Sequence, residues 1–172
     1  MSKVAIVYWS GTGNTEQLAR AVAAALPSED CVAFGRVGDV DRAALAQADR
    51  VYVGFWTNRG DCTDELAEVL ATLGGKDVFL FGTAGFGADE TYFAGVVSRV
   101  LVHLPESAQV IGSFMCQGRM PAVVRSRYVQ TAEAKPEQAA RMQQLIDNFD
   151  EASNHPNDDD LARLRAAVVG AE

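Results

Sequence analysis

The sequence predicts an α/β fold: a three-layer, doubly wound sheet of five parallel strands with helices on both faces. Three observations predict it. Strand-like runs alternate with stretches of helical periodicity through residues 4–115, and strands joined through helices lie parallel, linked by right-handed crossovers. The runs are near-continuously apolar, which suits strands covered on both faces. The length of 172 residues, 48% of them hydrophobic, fits one domain that buries a core without disulfide or metal.

Each element has its own signal. Val4-Ala5-Ile6-Val7-Tyr8-Trp9 predicts the first strand. Leu18, Val22, Ala25 and Leu26 recur at helical spacing and predict a helix over 14–26, stopped by Pro27. Cys31-Val32-Ala33-Phe34 predicts a second, weaker strand, and residues 43–48 a short helix. The third strand is 50–56, rich in Val and aromatic residues. Residues 63–73 predict a helix with Leu66, Val69, Leu70 and Leu73 on one side. Thr63 is its expected N-cap, without a capping box because Leu66 holds the third helical position, and Gly74-Gly75 ends it. Residues 78–82 predict the fourth strand, 83–91 a Gly-rich loop, 92–104 a helix closed by Pro105, and 108–115 the fifth strand.

The whole chain, 1–172, reads as a single domain, but its end departs from the alternation. Residues 118–172 show no further strand run. Helices are expected over 120–129, 137–150 and 158–168, separated by Pro136 and by Asn154-His155-Pro156-Asn157. Asn157 or Asp158 caps the last, with more acids in its first turn. One closing helix, 158–169, is enough to cover the fifth strand. The segment 118–157 is surplus to the minimal architecture.

Composition narrows function. Asp plus Glu is 23 against 15 Lys plus Arg, a net charge of −8, which argues against nucleic acid and anionic membranes and for basic partner surfaces. No apolar run approaches the roughly 20 residues of a membrane span. The run after Lys3 ends by Gly11, too short for a signal peptide, so the expected compartment is the cytoplasm. Cys31, Cys62 and Cys116 are widely spaced with no CxxC; they are expected as reduced thiols, with no metal site signalled. His103 and His155 have no partner that spacing reveals. No Ser/His/Asp or Cys/His constellation supports hydrolysis, and Asp158-Asp159-Asp160 reads as a solvated cap.

The segment Ser10-Gly11-Thr12-Gly13-Asn14-Thr15 lies between the first strand and the first helix. Backbone N–H groups at a helix N-terminus carry partial positive charge and favour an anion. The glycines admit close approach, and three hydroxyls and one amide add polar groups. With no Lys or Arg in the segment, dipoles alone are expected to neutralise a phosphate. The P-loop pattern fails for want of its Lys, and the dinucleotide pattern fails because Glu16 stands where a third Gly is needed.

Residues 8–16 resemble the flavin mononucleotide (FMN) phosphate loop of the flavodoxin family, Ser/Thr-x-Thr-Gly-x-Thr. Phe81-Gly82-Thr83, the Gly-rich loop and Tyr92-Phe93-Ala94-Gly95-Val96 are similar to that family's segment after the fourth strand, and Gly54-Phe55-Trp56 stands where its other flavin loop begins. The resemblance spans residues 3–117 and the final helix. It implies a flavodoxin-like fold with FMN as cofactor, held by Ser10, Gly11, Thr12, Gly13, Asn14 and Thr15 at the phosphate. The ring would lie between Trp56, Thr57, Asn58, Arg59 and Gly60 on one side and Thr83, Ala84, Gly85, Phe86 and Tyr92 on the other. Trp56 is the candidate for one ring face. The family's stacking Tyr falls at Glu90, so Phe86 is the expected substitute and Tyr92 a packing residue or hydrogen-bond donor. Asn58 or Gly60 would meet the reduced flavin nitrogen, and Arg59 would raise the potential of the second electron.

The function this implies is electron transfer: a monomer shuttling electrons to a partner reductase or acceptor with a basic docking surface, without a catalytic side chain. The alternative is an FMN-dependent NAD(P)H or quinone oxidoreductase on the same fold, with residues 118–150 forming a pocket or a docking cap. A third reading, a module that has lost its flavin, is opposed by the intact phosphate loop.

Overall fold

The computed structural model describes residues 2–87 and 89–171. Five parallel strands form one sheet: β1 (Val4–Tyr8), β2 (Cys31–Arg36), β3 (Arg50–Trp56), β4 (Asp77–Ala84) and β5 (Gln109–Gln117), in the order β2-β1-β3-β4-β5. Period-two alternation sends neighbouring residues to opposite faces. Ala5, Val7, Val51, Val53, Phe55 and Leu80 point to one core with Leu66, Leu70 and Val100. Ile6, Tyr8, Tyr52, Phe79 and Phe81 point to the other with Leu18, Val22, Leu164 and Val168.

The helices are α1 (Asn14–Ala25), α2 (Arg42–Gln47), α3 (Asp64–Leu70), α4 (Glu90–Leu101), α5 (Ala122–Ala134), α6 (Ala139–Ala152) and α7 (Asp158–Gly170). The expected fold class and every expected element are present. The differences sit at their ends, where side-chain caps decide. Asp41 caps α2 by accepting from the N–H groups of Ala43 and Ala44, and Asp89 caps α4 by accepting from Tyr92. Both helices therefore start earlier than periodicity alone suggests. Thr63 does hold the N-cap position of α3, but its hydroxyl makes no cap bond and is buried without a partner among the described residues. Trp9 lies outside β1, although its N–H still donates to Gly54 O at 3.0 Å.

Two glycines let the central strands carry large rings. Gly54 on β3 is registered with Phe81 on β4, and Phe55 with Gly82. Each ring lies over the neighbouring strand's glycine: a Cβ on Gly54 would fall 2.4 Å from Phe81, and one on Gly82 would fall 2.5 Å from Phe55. Gly82→Ala is expected to cost about 2 kcal/mol or more through overpacking, read as a lower urea midpoint at unchanged slope.

Helices α5 and α6 form an antiparallel hairpin, pinned where Arg125 donates to Asp150 through Nε at 2.8 Å and Nη2 at 3.1 Å. Helix α7 returns to pack on α1 and β5, covering the second face. Its entry is not only a solvated cap. Asn157 and Asp160 close a capping box, and Asp160 is 1% exposed. The Asp160 carboxylate also accepts from Arg163 Nη2 at 2.8 Å and meets His155 Nδ1. Among the described residues, no helix is long and apolar enough to cross a membrane.

Candidate functional site

In the observed strand order the chain leaves β1 toward β2 and then returns past it to β3, so the order reverses beside β1. Ligands of open α/β sheets bind outside the carboxyl ends of strands at such a reversal. A cleft of about 440 Å³ opens there, within the range of small-molecule sites.

Its floor is the loop between β1 and α1. Gly13 adopts φ 92°, a left-handed conformation that glycine tolerates, and α1 starts directly after it without a side-chain cap. Ser10 Oγ accepts from Gly13 N at 3.1 Å and Glu16 N at 3.3 Å, so this hydroxyl ties the loop together. The N–H groups of Gly11, Thr12, Asn14 and Thr15 find no acceptor among the described residues. The donors of Gly11 and Thr12 in the loop and of Asn14 and Thr15 in the first turn of α1 together form the positive end that an anion fits. Asn14 is buried; its Nδ2 donates to Arg119 O at 2.8 Å while its Oδ1 has no partner among the described residues. The hydroxyls of Thr15 and Thr83 share a hydrogen bond at 3.3 Å.

The walls come from β3, β4 and α5. Trp56 lies against Trp9 with ring centroids 5.6 Å apart, and its Nε1 is buried without a partner among the described residues. Thr57 donates from N and Oγ1 to Thr83 O at 2.8 and 2.9 Å, locking the two loops together. Gly85 and Phe86 follow, with Phe86 40% exposed at the mouth. The opposite side belongs to the surplus segment: Gly118, Arg119, Met120, Pro121, Val124 and Tyr128 line the cleft. A Cβ on Gly118 would fall 2.7 Å from Asn14 Nδ2, so this crossing needs glycine. Helix α6 steadies the β4 loop, since Asn148 Nδ2 donates to Gly85 O at 2.8 Å. Burial raises the Tyr128 phenol above its ordinary pKa, against the lowering effect of nearby Arg127.

Most of the expected site residues converge here: Ser10, Gly11, Thr12, Asn14, Thr15, Trp56, Thr57, Thr83, Gly85 and Phe86 line the cleft. Gly13 shapes the loop from behind, and Ala84 is buried in the core. Tyr92 is not in the lining; it packs beneath Gly87 and on Phe93. Asn58, Arg59 and Gly60 form a turn closed by Asp61 N donating to Asn58 O at 3.0 Å, with Asn58 N donating back to Asp61 O at 2.7 Å. Arg59 (φ 52°) and Gly60 (φ 85°) make it type I′, beside the cleft rather than in its lining.

Two arginines distant in sequence lie at this loop, which itself carries no cation. Arg119 joins the lining, its Nη2 donating to Gln17 Oε1 at 3.4 Å, and Arg36 reaches the loop from β2, donating to Ser10 O at 3.1 Å and pairing with Glu16 at 3.7 Å. Neither was visible locally, because β2 and the β5–α5 junction reach the loop only in the folded chain. Met120, Pro121, Val124 and Tyr128 fall in the segment 118–150 expected as a pocket or a docking cap, but the two on α5 were not singled out individually. Helix α5 buries none of its residues fully, so it carries no apolar stripe to point at them.

Comparison with known proteins places this geometry. The family described as the flavodoxin domain matches residues 5–169. The chain is 37% identical to the flavodoxin-like domain-containing protein BilS of Clostridium symbiosum, covering 98% of this chain and 95% of the relative. Among solved structures it is similar to oxidised flavodoxin 2 from Bacillus cereus, at TM-score 0.60 and 18% identity, with 99% and 97% of the two chains covered. It is also similar to a flavoprotein in complex with FMN from Lactobacillus acidophilus, at TM-score 0.54 and 15% identity, over 67% of this chain and 93% of that one.

Proposed function

This chain belongs to the flavodoxin family, and from that premise we propose that it is an FMN-binding electron carrier that passes electrons to a partner redox protein. The observation that carries the reading is the set of unpaired polar groups around one cleft. Four free N–H groups meet there with the buried, unpartnered Asn14 Oδ1 and Trp56 Nε1. Buried polar atoms are rarely left unpaired without a ligand or water to satisfy them. The donor set suits a phosphate at the α1 N-terminus, with Arg119 adding charge. The apolar wall suits a planar ring, with Trp56 and Phe86 as its aromatic contacts.

The bound flavin supplies one- and two-electron chemistry. The protein binds it, shields it from water and sets its potentials. The net charge of −8 opposes addition of negative charge and lowers both potentials. Arg59, on the turn beside the cleft, acts in the opposite direction. Arg59→Gln is expected to lower the potential of the second electron and leave FMN affinity within about twofold, since a cation's field falls with distance and screening. Potentiometric titration of both proteins reads this directly. The acidic surface would steer docking to a basic face of the partner.

The position of α5 favours a second reading, an FMN-dependent NAD(P)H or quinone oxidoreductase. Met120, Pro121, Val124 and Tyr128 give the cleft an apolar side that extends past the loops. Loading the chain with FMN and mixing it anaerobically with NADH or NADPH separates the two. Carriers stay oxidised over minutes, whereas an oxidoreductase is bleached within its turnover time. Trp56→Ala is expected to weaken FMN binding about tenfold or more, the scale of one lost aromatic stack, measured by recovery of flavin fluorescence.

A further inference from the structure

Beside the turn that follows β3, three side chains converge that the cleft does not use. His103, just past the end of α4, places Nε2 at 3.0 and 3.1 Å from the two carboxylate oxygens of Asp61. Cys62 is buried at the edge of the core, 7% exposed, and its backbone N–H donates to Asp61 Oδ1 at 2.7 Å. One oxygen, one nitrogen and one sulfur from these residues lie within 4.8 Å of one another. The imidazole and the carboxylate stay partly exposed, so an ion can reach them from solvent.

We propose that Asp61, Cys62 and His103 form a three-ligand site for a borderline-soft divalent cation of the zinc class. The donor set carries the assignment. Thiolate and imidazole select zinc, cobalt and their neighbours over magnesium and calcium, which take oxygen donors. Three protein ligands leave a fourth position of a tetrahedral ion for water. Spacing hid the site, because His103 and Asp61 are 42 residues apart in sequence. Without an ion the thiol is neutral, pushed up to about 12 by burial and by the Asp61 charge. An entering ion displaces that proton to solvent, and the thiolate takes its place as ligand. Arg99 flanks the turn, its Nη1 donating to Gly60 O at 3.3 Å.

The ion would fasten the end of α4 to the turn after β3. The proposal is independent of the flavin reading: it needs neither FMN nor a redox partner.

The test is a titration of the chelator-treated, reduced full chain with cobalt(II), and then with zinc(II) in competition. The expected result is one equivalent of cobalt with a thiolate-to-metal absorption band, displaced by zinc. Cys62→Ser should abolish the band, and His103→Gln should weaken binding at least tenfold while the circular dichroism of both variants stays native. Should Cys62→Ser fail to fold, the half-buried His103→Gln variant carries the test alone. Cobalt that binds without a thiolate band, or equally well to His103→Gln, overturns the site. Absence of binding at millimolar cobalt overturns it as well.

Discussion

Thr12→Glu is expected to lower FMN affinity by about 100-fold or more while leaving the melting temperature nearly unchanged. Thr12 is exposed at the tip of the β1–α1 loop, where the free N–H groups of Gly11, Asn14 and Thr15 converge. A carboxylate there occupies the positive end of α1 and repels a phosphate. The same carboxylate interacts favourably with the helix dipole, by roughly 0.3–1 kcal/mol, so the fold is not the casualty. A 100-fold loss is about 2.7 kcal/mol, the size of one or two charge-assisted hydrogen bonds. Flavin fluorescence titration reads the affinity, and a thermal melt in the same buffer reads the fold. An affinity loss accompanied by an equal loss of stability would point to loop collapse instead of lost anion binding.

Asp160→Ala is expected to destabilise the chain by about 3 kcal/mol at neutral pH, the cost of breaking a buried charge pair together with a helix cap. Asp160 is the hub at the start of α7: it caps Asn157 N–H, accepts from Arg163 and meets His155. Helix α7 covers the second core through Leu164 and Val168, so its first turn anchors a whole layer. Burial pushes the Asp160 carboxyl upward, but the bonds from His155, Asn157 and Arg163 outweigh it and hold the pKa below the ordinary value. A depressed folded pKa means that the stabilisation is fully present above the unfolded value of roughly 3.9. It is lost as pH falls through the lower folded value. The gap between the native chain and Asp160→Ala should therefore be widest at neutral pH and narrow below about pH 4. Urea melts across that range measure it.

The sheet was legible because its strands carry their own signal. The β3 boundaries 50–56 follow from the Val-rich aromatic run, and a parallel sheet follows from the helices between the runs. The β1–α1 loop was legible because every residue of it is contiguous. What the sequence hid depends on distance or on weak periodicity. Asp41 and Asp89 cap helices from outside the apolar pattern. Arg119 reaches the cleft because Gly118 crosses close to Asn14, a contact no local pattern encodes. Val124 and Tyr128 wall the cleft from a helix with no buried stripe. His155 and Asp160 are only a few residues apart, yet a run of three aspartates reads as solvated until the fold buries its last member.

The most direct test of the central claim is an anaerobic dithionite titration of the chain after incubation with FMN and removal of excess cofactor. The account predicts a yellow protein holding one equivalent of FMN that takes up two electrons in resolved one-electron steps. A colourless protein that leaves added FMN free in solution would contradict it at the phosphate loop. A yellow protein that bleaches in a single two-electron step would contradict the carrier function and transfer the cleft to the oxidoreductase reading.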